Sequence, residues 1–492
     1  MRLIHRASGF SNNTAIISDR QAFTYQQLLE ASEKMAQFLL DGREDLMEAR
    51  VAMMVKPGFD YVRVQWGIWR AGGIAVPLHP GSPAPAVQYI LEDCDVDTLV
   101  LDPEFEKEYQ DYISTTNIRL AFTHLQSKSE SSLPDISSDR RAMILYTSGT
   151  TGSPKGVVTT HQNIEAQIQS LVEAWEWSAS DHILNILPMH HVHGIINVLS
   201  CALWSGAICQ FISRFNPEEV CNVFTQRDLT LFMAVPTIYH KLISYCESLE
   251  STRQREISNG LKELRLMVSG SAALPVSVML KWEEISGHTL LERYGMTEIG
   301  MAISNPYHGE RLPGHIGQPL PGVQVTLANE SGQPVREGAQ GEILVKGPNV
   351  FKEYWRRPEA TMESFTNDNW FKTGDIAICN SGNYKIIGRS SVDIIKSGGY
   401  KLSALEIEEV LRTLDGVKDC GVVGIVDHEW GELVCAALVS DNQEAGLDID
   451  QINHSLRATL ATYKVPRKYI ILEDLPRNAM GKVTKNELKK LF

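Results

Sequence analysis

Short apolar runs alternating with longer amphipathic ones begin at residues 14–17 and recur along most of the chain. Residues 51–55, 74–77 and 98–101 are compact apolar runs bounded by polar or glycine-containing turns, while 59–69 carries apolar residues at helical spacing. That alternation predicts a βα pattern, and with it an α/β fold containing a parallel sheet. Further strands are predicted at 142–146, 157–160, 183–188, 231–235, 266–269 and 289–292. Residues 105–140 are polar and poorly periodic, with six serines and one proline between 127 and 139, and read as a surface connection. From 316 to 345, short alternating strands separated by Gly and Pro turns predict a small β subdomain.

The polar pair Ser390-Ser391 marks the expected domain boundary. It leaves a large N-terminal domain, 1–389, of mixed α/β subdomains, and a small C-terminal α+β domain, 390–492. Ser403-Ala404-Leu405-Glu406 has the form of a capping box opening a helix that runs to Leu414. Strands at 421–426, 434–438 and 469–472 and a helix near 452–460 complete that domain. Ligands of open α/β sheets gather at the carboxyl ends of the strands, so 236–237, 270–273 and 294–298 are expected to converge on one site.

With 492 residues, more than one core is expected. The net charge of −14 argues against nucleic acid or an anionic membrane as a main partner, so local cations must hold any anionic substrate. Eight cysteines without zinc- or redox-type spacing read as buried reduced thiols. The longest apolar stretch, 195–212, is broken by Asn197, Ser200, Ser205 and Gln210, which suits buried core better than a membrane span. The first residues lack an apolar signal core, so a cytoplasmic protein without a transit peptide is expected; a monomer or weak dimer is the working expectation for assembly. Three histidines in His190-His191-Val192-His193-Gly194 invite a zinc reading, but the spacing is not that of a helical His pair and no acidic or thiol ligand is near in sequence.

Directly after the apolar run 142–146 comes Thr147-Ser148-Gly149-Thr150-Thr151-Gly152-Ser153-Pro154-Lys155-Gly156. Three glycines let backbone N–H groups crowd an anion, while five hydroxyls and Lys155 add donors and charge, so the stretch reads as a polyphosphate-gripping loop. It is not the common P-loop, because Gly156 rather than Ser or Thr follows Lys155. A flexible linker is the compositional alternative; the strand-like runs on both sides argue against it. Together with Tyr146, this stretch resembles the signature of the adenylate-forming superfamily: acyl-CoA synthetases, peptide-synthetase adenylation domains and luciferases. Further blocks of that pattern recur in order over essentially the whole chain.

The resemblance implies a two-step reaction in which a carboxylate attacks the α-phosphorus of ATP and the thiol of CoA then displaces AMP. Neither step needs a protein nucleophile, so positioning and charge stabilisation must supply the catalysis. By the same resemblance, Thr147, Ser148, Gly149, Thr150, Thr151 and Lys155 would hold phosphates. Tyr294 would face adenine, Gly270, Ser271 and Ala272 would meet its edge, and Asp375 with Arg389 would take the ribose. Glu298 is the implied Mg²⁺ ligand, and Thr297, Glu298 and Lys482 the implied catalytic set. Read bare, Glu298 is equally a solvated carboxylate at a helix start, and Lys482 a solvated lysine beside Lys485, Lys489 and Lys490; Asn478 and Gly481 also match the pattern around Lys482. For the second step the C-terminal domain would rotate as a lid, bringing Ser397, Gly398 and Gly399 to the pantetheine. One residue more than the commonest pattern between Arg389 and Asp393 leaves Ser391 or Val392 as the hinge.

The identity of the acid turns on two cations. Arg293 precedes Tyr294, and Lys241 lies close after the strand predicted at 231–235. Burying both in an acyl pocket is costly unless an anion pairs with them, and a second substrate carboxylate would supply it. Residues 187–194, 235–241 and 292–298 resemble malonyl-CoA synthetases, in which two cations take the distal carboxylate and His193 and Met296 would line the acyl pocket. Lysine at 241 keeps the charge that is often an arginine there but loses the planar fork, leaving malonate, methylmalonate and succinate open. Alternatives are a structural ion pair of Arg293 with Glu292 or Glu298, and a plain surface Lys241. At the level of function they are a medium-chain or aryl acyl-CoA synthetase, an enzyme loading a carrier protein, or a non-catalytic nucleotide-binding relative.

Overall fold

The computed structural model describes residues 2–125, 132–147, 154–212, 214–398, 400–441, 446–478 and 481–492. A seven-stranded sheet runs in the order Glu353–Tyr354, Lys155–Thr160, Arg141–Thr147, Ile74–Pro77, Arg50–Met54, Thr98–Leu101, Arg119–Phe122. Its central strands pair in parallel and are buried on both faces, which is why Ile74–Pro77 and Thr98–Leu101 are continuous apolar runs rather than alternating ones. A nine-stranded sheet places Leu291–Met296, Leu266–Ser269, Leu231–Ala234, His182–Asn185, Ile208–Phe211 and Thr14–Ser18 side by side, all parallel. The small β subdomain is a four-stranded antiparallel sheet, Gln324–Ala328, Gly341–Lys346, Phe371–Asn380 and Asn383–Arg389, so it extends well past the expected residue 345.

Three local expectations need correction. The connection 105–140 contains the helix Glu106–Ser114 and the edge strand Arg119–Phe122; the helix buries only Tyr109 and Ile113, too few to leave a readable period. The strand expected at 183–188 is His182–Asn185, and residues 193–200 wind instead with π-helical spacing. Ser403 does cap its helix, accepting from the Glu406 N–H at 3.2 Å, but Glu406 turns its carboxylate to Lys464 at 2.6 Å, so the box does not close. That helix, Ala404–Leu411, ends short of Leu414.

After the strand Asn383–Arg389 the chain turns through 390–393 into a five-stranded sheet comprising Ile394–Ser397, Tyr400–Ser403, Val417–Asp427, Gly431–Ser440 and Lys468–Leu472. Asp393 anchors this turn. Its Oδ2 accepts the Arg389 N–H at 3.0 Å and its Oδ1 lies 2.8 Å from Lys485 Nζ. Lys485 also meets Glu408 Oε1 at 2.6 Å, so one buried ammonium joins the turn, the helix Ala404–Leu411 and the C-terminal segment. Burial alone would lower the Lys485 pKa, but the Glu408 and Asp393 carboxylates outweigh it and raise it. Burial opposes ionisation of Asp393 too, and Lys485 overcomes it, holding that carboxyl below its ordinary range. All eight cysteines are free thiols, seven buried and Cys379 half-buried. No helix among the described residues is long and apolar enough to cross a membrane.

Replacing one partner of a buried ion cluster strands the others. Lys485→Met is expected to cost ~3–5 kcal/mol of stability at pH 7, read from urea unfolding. The share contributed by Asp393 is present at neutral pH and disappears as pH falls through its depressed folded value, so the deficit of the variant should shrink in acid.

Candidate active site

The carboxyl ends of the parallel strands in the larger sheet open onto a cleft of about 2130 Å³ between the two domains. Pro236 and Thr237, Ser271 to Ala273, and Tyr294 to Glu298 all line it, so the three expected segments do meet. Across the cleft stand Asp375, Arg389 and, from the C-terminal domain, Lys482. Thr147 and Lys155 line it too, and sit opposite each other where the hairpin strands Arg141–Thr147 and Lys155–Thr160 pair. The phosphate-loop residues Ser148, Gly149, Thr150 and Thr151, and Gly399 in the second domain, lie outside the described residues.

Antiparallel pairing places Asp375 opposite Arg389, and the guanidinium meets the carboxylate through Nε at 2.8 Å and Nη2 at 3.2 Å. Tyr294 donates its hydroxyl to the same carboxylate at 2.6 Å, so the phenol ring is fixed against the cleft wall. Burial would lower the Arg389 pKa, but Asp375 outweighs it and raises it, leaving a fixed cation. Glu298 is buried, follows a strand rather than starting a helix, and accepts from Tyr354 Oη at 2.9 Å. Burial raises its pKa, with the Tyr354 hydrogen bond opposing. Lys155 Nζ lies 5.2 Å from the centroid of the same Tyr354 ring. Sequence reasoning missed Tyr354, because nothing local marks a tyrosine that joins two residues brought together only by the fold.

Around Arg293 the chemistry is different. The side chain is 3% exposed, its Nη2 reaches Ser271 Oγ at 3.4 Å, and its Nε has no partner among the described residues. Neither Glu292 nor Glu298 pairs with it: Glu292 accepts the Leu274 N–H at 3.1 Å and Glu298 takes Tyr354. Gly270 lies against Arg293: a Cβ there would come 2.6 Å from the guanidinium carbon, so the arginine would have to shift. Burial pushes the Arg293 pKa down to about 9, still cationic at neutral pH. Ser271 Oγ also lies 3.3 Å from His193 Nδ1. His193 is kept neutral by burial first and by Arg293 second, and its Nε2 has no partner among the described residues. Lys241 differs from expectation: it lines the cleft from the helix Pro236–Glu247, yet it is exposed, near the Phe215 ring at 6.0 Å. One buried cation, not two, therefore faces the cleft from these positions, because residue 241 falls a turn into a surface helix.

Lys482 is exposed to the cleft at the end of a turn in which its N–H bonds Asn478 Oδ1 at 3.0 Å. The preceding Gly481 has φ +74° and packs so that a Cβ would lie 3.0 Å from Thr237 Oγ1, which seats the lysine turn on the N-terminal domain. Met296 and Thr297 line the cleft, whereas Ser397 and Gly398 do not. His190 and His191 pack on one another at 4.0 Å and are held neutral mainly by burial, with pKa values near 2 and 4; among the described residues no group of three His, Cys, Asp or Glu is arranged for a metal.

Residues 3–355 match the AMP-binding enzymes, and residues 406–482 match the AMP-binding enzyme C-terminal domain. The chain belongs to the AMP-binding enzyme family. This AMP-binding enzyme is 41% identical to the mitochondrial malonate–CoA ligase ACSF3 of Mus musculus, over 99% of this chain and 89% of that one. ATP-bound MatB from Rhodopseudomonas palustris superposes with a TM-score of 0.91 at 31% identity, over 100% and 98% of the two chains. A malonyl-CoA ligase ternary product complex with methylmalonyl-CoA and AMP, also 31% identical, reaches 0.69 over 95% and 97%.

Glu292 supplies a test of the electrostatics. Burial raises its carboxyl to about 8, with Glu409 adding to the rise and the Leu274 hydrogen bond and Arg293 opposing it, so the folded enzyme holds a proton that the unfolded chain releases above pH 4.5. Stability must therefore fall as pH rises between those values. Glu292→Gln is expected to remove that slope and to gain up to ~4 kcal/mol relative to the native enzyme by pH 8.5, as measured by urea unfolding at pH 5, 7 and 8.5.

Proposed function

We propose that this enzyme ligates malonate to CoA through a malonyl-adenylate, with release of AMP and pyrophosphate. The observation that carries the choice of acid is the buried Arg293 guanidinium, which faces the cleft without a carboxylate partner among the described residues. The likeness to proteins named malonate–CoA ligase supports the same reading. Arg293 takes the distal carboxylate, His193 and Met296 wall the pocket, and Lys241, exposed at its edge, adds long-range attraction. Methylmalonate is the second acid to test, since a flexible ammonium at 241 imposes no planar geometry.

In the first step an oxygen of the reacting carboxylate attacks the α-phosphorus of ATP and pyrophosphate leaves. Lys482, seated by the Gly481 contact with Thr237, reaches in from the lid to offset the charge developing between carboxylate and phosphate. Tyr294 lies against adenine and Ser271 and Ala272 along its edge, with Gly270 beneath; Asp375 accepts from the ribose hydroxyls while Arg389 holds Asp375 in place. Thr147, Lys155 and the loop between them hold the β- and γ-phosphates. Mg²⁺ brought with ATP fits Glu298, a buried carboxylate whose ionised form burial penalises, and would neutralise phosphate charge there. Thr297 completes the first-step set. In the second step residues 390–492 rotate about Ser391 or Val392, bringing the segment around Ser397 and Gly398 to the thioester-forming thiol of CoA. The higher TM-score with the ATP-bound relative than with the product complex supports an adenylate-forming arrangement here. The enzyme works as a monomer or weak dimer in the cytoplasm, a reducing setting that suits eight free thiols, although the mouse relative is named as mitochondrial.

Acid-dependent AMP release with CoA should be greatest for malonate among acetate, butyrate, octanoate, benzoate, malonate, methylmalonate and succinate; a preference for monocarboxylates would reject the assignment. Arg293→Ala is expected to lower malonate kcat/KM by about 100-fold or more, on the several kcal/mol that an unpaired buried charge costs, with little change for acetate. Lys482→Ala should abolish adenylate formation while malonyl-AMP plus CoA still gives malonyl-CoA; equal loss of both steps would remove the role given to Lys482.

A further inference from the structure

The helix Val276–Ser286 begins without a cap of its own: Pro275 stands at the N-cap position and offers no side-chain acceptor. The missing acceptor comes from the other domain. Glu409, on the helix Ala404–Leu411, accepts the Val276 N–H through Oε1 at 3.0 Å, 133 residues away in sequence. Its other oxygen, Oε2, lies 3.9 Å from Arg412 Nη1, which steadies the carboxylate without displacing it. The capped helix directly follows residues 271–275, which line the cleft, and Leu274 there donates to Glu292 on the strand that carries Arg293 and Tyr294. A second polar contact between the domains, Lys401 with Glu330, joins two exposed side chains and is worth little.

We propose that Glu409 is a latch that selects the adenylate-forming orientation of the lid, by capping a helix of the N-terminal domain only when Lys482 is seated in the cleft. It is a positioning residue: it touches no reacting atom and acts by holding the C-terminal domain where the Gly481 turn rests on Thr237. A rotation that presents the segment around Ser397 and Gly398 breaks the cap, so the latch favours the first half-reaction and opposes the second. The inference rests on the two-orientation reading above. The test is to measure, on the full chain, acid-dependent exchange of labelled pyrophosphate into ATP, and separately malonyl-CoA formation from supplied malonyl-AMP. Glu409→Ala is expected to slow exchange about fivefold, the size of one lost cap, with the thioester half-reaction unchanged or faster. Glu409→Gln keeps an acceptor oxygen and should restore most of the exchange rate. Equal slowing of both half-reactions, or unchanged exchange in Glu409→Ala, overturns the latch while leaving the proposed function intact. A native enzyme without acid-dependent exchange overturns the function and the latch together.

Discussion

A buried guanidinium with no carboxylate at ion-pair distance among the described residues is the constraint on which the site depends. Desolvating Arg293 costs free energy that the long Ser271 hydrogen bond and the attraction of Glu292 return only in part, since burial still pushes its pKa down to about 9. Gly270 leaves out a side chain so that the guanidinium can lie on its backbone, and Ser271 sits at φ +69° with its hydroxyl between Arg293 and His193. In the proposed reaction the second carboxylate of the acid would enter the cleft to pair with this cation.

Around that point the fold divides the work. Parallel strands deliver three short segments to one end of the sheet, and the small β subdomain contributes Asp375 and Arg389 from adjacent strands in register. The lid adds Lys482. What unites these pieces is a small number of directed contacts: Tyr294 to Asp375, Tyr354 between Glu298 and Lys155, Asp393 to Lys485, and Glu409 to the start of the helix Val276–Ser286. Each links elements far apart in sequence, and of these four only the Glu409 contact joins the C-terminal domain to the N-terminal one.

How much of this could be read from the sequence depended on whether the signal was local. The strands Ile74–Pro77, Thr98–Leu101 and Leu266–Ser269 have the ends expected of them, because fully buried parallel strands are short apolar runs with polar punctuation. The strand ends converge as the topology requires. The helix Glu106–Ser114 escaped notice because two buried residues make no period. Tyr354 and Glu409 are invisible in the sequence because their partners come only through tertiary structure, and Lys485 is hidden in a basic tail although its side chain is largely enclosed between Asp393 and Glu408. Lys241 does follow the expected strand end, but sequence spacing does not say that its helix turns it to the surface.

If Arg293 serves a second carboxylate, the empty protein gives up stability there that malonate returns. Thermal unfolding of the native enzyme and of Arg293→Met, each alone and with malonate plus an ATP analogue that cannot be cleaved at the α-phosphate, tests it most directly. The variant is expected to melt higher than the native enzyme when empty, and malonate to raise the melting temperature of the native enzyme alone. A variant that melts lower when empty and is stabilised by malonate as much as the native enzyme would contradict it.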